Sequence, residues 1–209
     1  MIPVKILAVR YLANASPALA SGLGAPEGYP SLGLLTTDCD DATYIALDAA
    51  TKAADVEVAY GRSFYAGAAN ASTPHAGEVM GILAGKTPGA VKSGMEAVLS
   101  ALERTGFSEV NGVPYLAHTV ASVGSFLSKE AGVPRSSALA YLIAPPLEGM
   151  YALDAALKSA DVILCKLYTP PSETNFGGAL LSGTQSACTA ACEAFAAAVT
   201  EVAAKPIER

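Results

Sequence analysis

Residues 46–56 read ALDAATKAADV and residues 152–162 read ALDAALKSADV, identical at nine of eleven positions and 106 residues apart. A match of that length at half the chain length means two copies of one fold unit. Solenoid repeats are much shorter, so the period implies two similar domains in tandem, at 1–107 and 108–209.

The rest of the unit is also duplicated. VKILAVRY (4–11) and YLAHTV (115–120) are β-rich openings, and LANASPALASGLGAP and VASVGSFLSKEAGVP follow them at a spacing of 108. Ser16 is placed to cap a short helix, and Gly24 with Pro26 to end it. SLGLLTT (31–37) and ALAYLIA (138–144) read as buried strands. In the helix that follows, Asp41 is an expected cap and Asp48–Lys52 an i,i+4 ion pair, matched by Asp154–Lys158. Ala46, Ala49, Ala50 and Ala53 form a small-residue stripe, with Ala152, Ala155, Ala156 and Ser159 as counterparts. Strands are expected at 56–60, 78–84, 162–167 and 179–182. The last helix of each unit puts Val91, Met95, Val98 and Leu102, or Cys188, Cys192, Phe195 and Val199, on one face. The order strand–helix–strand–helix–strand–strand–helix implies a two-layer α+β domain, a mainly antiparallel sheet covered on one face by helices.

Apolar residues make up 52% of the chain and charged residues only 15%, little for the surface of a small domain. The shortfall implies outer surface buried against other chains. A membrane span is not expected, because the charge-free stretch 175–192 is broken by Gly177, Gly178, Gly183, Thr184 and Gln185. No signal segment opens the chain, and a net charge of −6 without a basic cluster argues against nucleic acid. Cys39, Cys165, Cys188 and Cys192 read as reduced thiols in the core of a cytosolic protein, not as metal ligands. No Ser–His–Asp order, phosphate loop or zinc motif is present, and two lone histidines are poor material for acid–base catalysis. An enzyme is the weakest reading, and no cofactor is expected.

The run SLGLLTTDCDDATYIALDAATKAADVEV and the helix opening at 85–92 resemble the bacterial microcompartment shell proteins. YGRSFYAGAANAS, AGEVMGILAG, PPSETNF and GTQSACTAACEAF extend the resemblance over nearly the whole chain. With the terminal strand and helix moved to the front, each unit is similar to the circularly permuted form of that domain. The tandem members that serve ethanolamine-utilisation compartments are the most similar. The resemblance implies a homotrimer that imitates a hexagon and packs with other shell proteins in a layer. It also implies a gated central pore for metabolites and smaller subunit channels that bind ethanolamine.

On that resemblance Asp40, Asp41 and Glu78 match acidic ligands of the amine, Phe107 an aromatic neighbour and Glu148 a further acid near the channel. Two adjacent carboxylates attract an ammonium and orient it by charge-assisted hydrogen bonds. The plainer role of Asp40 and Asp41 is to cap the helix and complement its dipole; that of Glu148 is a solvated loop charge. The loops at 61–77 and 169–178 are long for compact domains and are assigned to pore lining through Arg62, Phe64, Tyr65, Asn70, Thr174 and Asn175. His75 reads as an exposed loop residue. The alternative to a shell tile is a soluble oligomeric sensor that binds a small amine without forming a layer.

Overall fold

Branched apolar residues and short turns make nine strands, and the alanine-rich stretches make six helices, among the residues described in a computed structural model: 1–64, 73–170 and 175–207. By its internal contacts the chain forms two compact units. The first is Pro3–Gly106 with Gly124–Leu127; the second is Met1–Ile2, Phe107–Val123 and Ser128–Arg209.

The first unit contains β1 (Ile6–Leu12), α1 (Pro17–Gly22), β2 (Ser31–Thr37), α2 (Asp40–Ala53), β3 (Val56–Ser63), β4 (Val79–Gly85) and α3 (Pro88–Leu102). Its sheet is antiparallel throughout, in the order β1-β2-β4-β3. Strand alternation sends Leu35 and Leu83 toward α2 and α3, where they meet Ala42, Ala46, Leu47, Val91, Met95 and Val98. Leu32, Ile82 and Ala84 face the other way and pack with Ala15 and Ala20 of the α1 segment. The α+β class and antiparallel sheet are as expected, but the sheet is covered on both faces and not on one, by two long helices on one side and a short one on the other, because the α1 segment brings Ala15 and Ala20 onto Leu32, Ile82 and Ala84. A Cβ at Gly33 would stand 2.8 Å from Val91 Cγ1, so this glycine lets α3 lie close to β2.

The second unit repeats the pattern with β6 (Val113–Val120), α4 (Ser125–Ala131), β7 (Ala138–Ala144), α5 (Pro146–Ser159), β8 (Val162–Tyr168), β9 (Gly177–Gly183) and α6 (Gln185–Ala204). The opening of α4 is held in the first unit. A three-residue strand, β5 (Ser108–Val110), is added at the edge, and the order is β5-β6-β7-β9-β8. Every residue of β7 is buried. The helix α6 is long and apolar enough by composition to cross a bilayer. Its Cys188, Ala191, Cys192, Phe195 and Val199 instead fill the core of this unit.

The two α3/α6 openings are capped alike. Thr87 Oγ1 accepts the Ala90 N–H at 3.2 Å and Thr184 Oγ1 accepts the Ala187 N–H at 3.1 Å. Two local expectations are corrected. Cys39, not Asp41, is the N-cap of α2, because Cys39 keeps an extended backbone while Asp40 is already the first residue of the helix. The buried small face of α2 is Ala42, Ala46 and Ala50, while Ala49 is half-buried and Ala53 exposed. Of the four thiols, all free, Cys188 and Cys192 are buried and Cys39 and Cys165 half-buried.

Candidate functional site

The junction between β2 and α2 carries the run Thr-Asp-Cys-Asp-Asp at 37–41. Its turn is fixed by hydroxyls. The Cys39 N–H donates to Thr37 Oγ1 at 3.2 Å, Thr43 Oγ1 donates to the Cys39 carbonyl at 2.7 Å, and the two threonine oxygens lie 2.7 Å apart. Asp38 Oδ1 accepts the Lys5 N–H at 2.7 Å, and Asp40 Oδ1 accepts the Asp41 N–H at 2.8 Å. Asp40 and Asp41 are both buried. Each also favours the positive end of α2, where they occupy the first turn.

Glu78 is brought to the same corner by its backbone. Its N–H donates to the Thr37 carbonyl at 2.8 Å, and its own carbonyl accepts the Phe64 N–H at 2.8 Å. The preceding Gly77 has φ +69°, and a Cβ there would lie 2.2 Å from the Thr37 oxygen, so only glycine permits this approach. Burial pushes the Glu78 carboxyl up to about 7, and the Asp40 and Asp38 carboxylates add to the shift. Burial also holds the Cys39 thiol well above its usual range, with Asp41, Asp40 and Glu78 contributing. A thiol so placed stays protonated and unreactive. The corner gathers several carboxyl groups, and a cation placed there would relieve their mutual repulsion. Among the described residues no group of three His, Cys, Asp or Glu side chains is arranged to hold a metal ion.

Asp40, Asp41 and Glu78 thus come together in the first unit. Phe107 and Glu148 belong to the second unit. There the Phe107 ring lies 5.8 Å from that of Phe176, and Glu148 occupies the first turn of α5. Sequence reasoning passed over Asp38, whose signal was its place in the same acidic run. Of the residues assigned to pore lining, Arg62 is exposed near the end of β3 and Phe64 is exposed just beyond it. Asn175 takes a left-handed conformation (φ 61°) two residues before β9. Tyr65, Asn70 and Thr174 lie outside the described residues. His75 is exposed, and its Nδ1 lies 3.2 Å from the Leu7 carbonyl.

Two antiparallel sheets, each with two long helices on one face and each led by a displaced strand and helix, define a tandem shell-domain protein. The BMC-domain family model matches residues 31–114, beginning at β2 and leaving β1 and α1 outside. Bacterial microcompartment shell protein EutL of Clostridium perfringens (strain 13 / Type A) is 56% identical over 99% of this chain and 97% of its own length. The EutL of Escherichia coli (strain K12) is 47% identical over 100% and 97%. The crystal structure of EutL from Leptotrichia buccalis C-1013-b superposes with a TM-score of 0.95 at 55% identity, covering 100% of this chain and 98% of that one. A trimeric shell protein, PduB, shares the fold, with a TM-score of 0.80 at 19% identity over 96% of this chain and 89% of its own. The chain belongs to the EutL family of bacterial microcompartment shell proteins. It is a structural component of the shell and not an enzyme.

Proposed function

We propose that three copies of this chain close into a pseudohexameric ring, pack into the shell layer, and pass small metabolites through a gated central pore. We further assign ethanolamine to the acidic corner of the first unit as its bound amine. The observation that carries this assignment is the meeting of Asp38, Asp40 and Glu78 with enough burial to push Glu78 to about 7. A primary ammonium would restore the ionised form of Glu78 and accept orientation from the Asp40 and Asp41 carboxylates. Doubling of the domain supports the ring, since three two-domain chains supply six similar corners with two kinds of loop around one axis. Arg62, Phe64 and Asn175 are the described candidates for that rim.

Two measurements test the reading. Calorimetry should detect ethanolamine binding to the native protein and none to the Asp40→Ala/Asp41→Ala variant, with the oligomer unchanged. Equal heats from both would remove the ligand assignment. Electron microscopy of concentrated protein should show sheets or tubes one molecule thick. Discrete particles at every concentration would favour a soluble amine sensor instead.

A further inference from the structure

Asp48 and Asp154 stand at the same position of the duplicated motif, yet their surroundings are opposite. Asp48 is fully buried in the first unit. Its Oδ2 accepts the Gly124 N–H and its Oδ1 the Leu127 N–H, both at 2.8 Å, and Lys52 lies 3.2 Å away. Residues 124–127 come from the second repeat, at the opening of α4, and are seated on α2 and β3 of the first unit. Thr51 Oγ1 accepts the Ser125 N–H at 3.0 Å, and Ser125 Oγ donates to Glu57 at 3.2 Å. The Phe126 ring packs on Tyr44, and a Cβ at Gly61 would stand 3.3 Å from it.

The second unit presents the same seat, and among the described residues of its own chain no segment is seen on it. The side chain of Asp154 is 65% exposed and pairs with Lys158 at 2.6 Å. Ile163 is 65% exposed and Leu167 44%. The matching segment of the first repeat, Ser16–Leu19, is likewise exposed, Leu19 at 48%, where its counterpart Leu127 is fully buried.

The sequence differences between the two seats are matched by differences between the two segments. At a spacing of 106, Thr51, Glu57 and Gly61 become Leu157, Ile163 and Leu167; at 108, Ser125 and Phe126 become Pro17 and Ala18. Where the seat loses the hydroxyl acceptor of Thr51, the segment loses its N–H, because proline has none. Where it loses the Glu57 carboxylate, the segment loses the serine hydroxyl. Where Gly61 grows to Leu167, Phe126 shrinks to Ala18, which conserves volume at the contact. Asp154 keeps its acid, and the segment keeps the two N–H groups, at Ser16 and Leu19, that correspond to those Asp48 holds.

We propose that residues 16–19 of a second copy of this chain seat on Asp154, Leu157, Ile163 and Leu167. The contact is head-to-tail: each copy offers the segment from its first repeat and the seat from its second. It names the joint on which the trimer reading depends.

Copying the first unit's pairing across the joint tests this. Sedimentation and light scattering over a dilution series would compare native protein with Ala18→Phe, Leu167→Gly and the double variant. Circular dichroism and melts of the dissociated chains would check folding. Ala18→Phe alone should weaken association about tenfold or more by overfilling the seat, and adding Leu167→Gly should bring it back to within about threefold of native. Asp154→Ala should also loosen the oligomer. A native trimer that Ala18→Phe leaves unaltered, or a double variant no tighter than Ala18→Phe, would overturn the seat while leaving the trimer reading intact. A native protein monomeric throughout the series would overturn both, and that outcome is distinct because it needs no variant.

Discussion

Glu78 is the residue whose ionisation reports on the corner. Its carboxyl is raised from 4.5 to about 7 in the folded chain, by burial first and by Asp40 and Asp38 next. A raised acid binds more protons when folded than when unfolded between these two values. Its contribution to stability is therefore complete below about pH 4.5 and is lost as pH rises through 7. Glu78→Gln should flatten that part of the stability–pH curve and gain stability relative to native above pH 7, read from denaturant midpoints at several pH values. A slope that survives the substitution would place the titration elsewhere. An ammonium ligand pulls the same group back toward ionisation, so ethanolamine binding near pH 6.5 should release a proton. Calorimetry in two buffers of different ionisation enthalpy reads that release, and Glu78→Gln should abolish it.

At the scale of elements, α2 and α5 share a sequence motif but do different work. Asp48→Ala would leave the Gly124 and Leu127 N–H groups without their acceptor and remove the Asp48–Lys52 ion pair. The expected cost is ~3 kcal/mol, with loss of amide-exchange protection at 124–127. Asp154→Ala in the dissociated chain removes only an exposed i,i+4 pair and should change stability by less than ~0.5 kcal/mol. Equal effects from the two would contradict the buried role of Asp48. The element order was legible in the sequence because both long helices of each unit carry apolar residues at helical spacing, and Met95 and Phe195 are fully buried as that spacing implies. The pairing Asp48–Lys52 was legible too, as a local i,i+4 contact. The clasp of residues 124–127 was not, since Asp48 lies more than seventy positions from Gly124 and Leu127 and the acid looks the same in both repeats. The helix start was misplaced onto Asp41 because a cap is chosen by backbone geometry, and Cys39, with an extended backbone, has no side-chain preference to announce it. Of the candidate site, the acids of the DCDD run were visible as a group. Their coupling to Glu78 depends on the β2–β4 register, which brings Thr37 opposite Val79.

On the scale of the whole molecule, duplication did not copy the acidic corner. The motif spacing of 106 puts Pro146 and Leu147 where the first repeat has Asp40 and Asp41. In strand register Thr37 pairs with Val79, and Ala144 with Gly177, so Phe176 stands where the first unit has Glu78. Its ring lies against Phe107. An ammonium moved there would meet proline, leucine and phenylalanine at the three positions where the first unit has carboxylates, and the hydration it lost would not be replaced by them, a cost of several kcal/mol. Binding should therefore be one ethanolamine per chain, half the number of domains. Calorimetric stoichiometry on the native protein checks this, with Glu78→Gln as the control that weakens the site. Two equivalent sites per chain would show that the acids of the first unit are not what selects the amine. A single site lost with Asp40 and Asp41 would assign to the two halves separate tasks, recognition in the first and, through the seat around Ile163 and Leu167, assembly in the second.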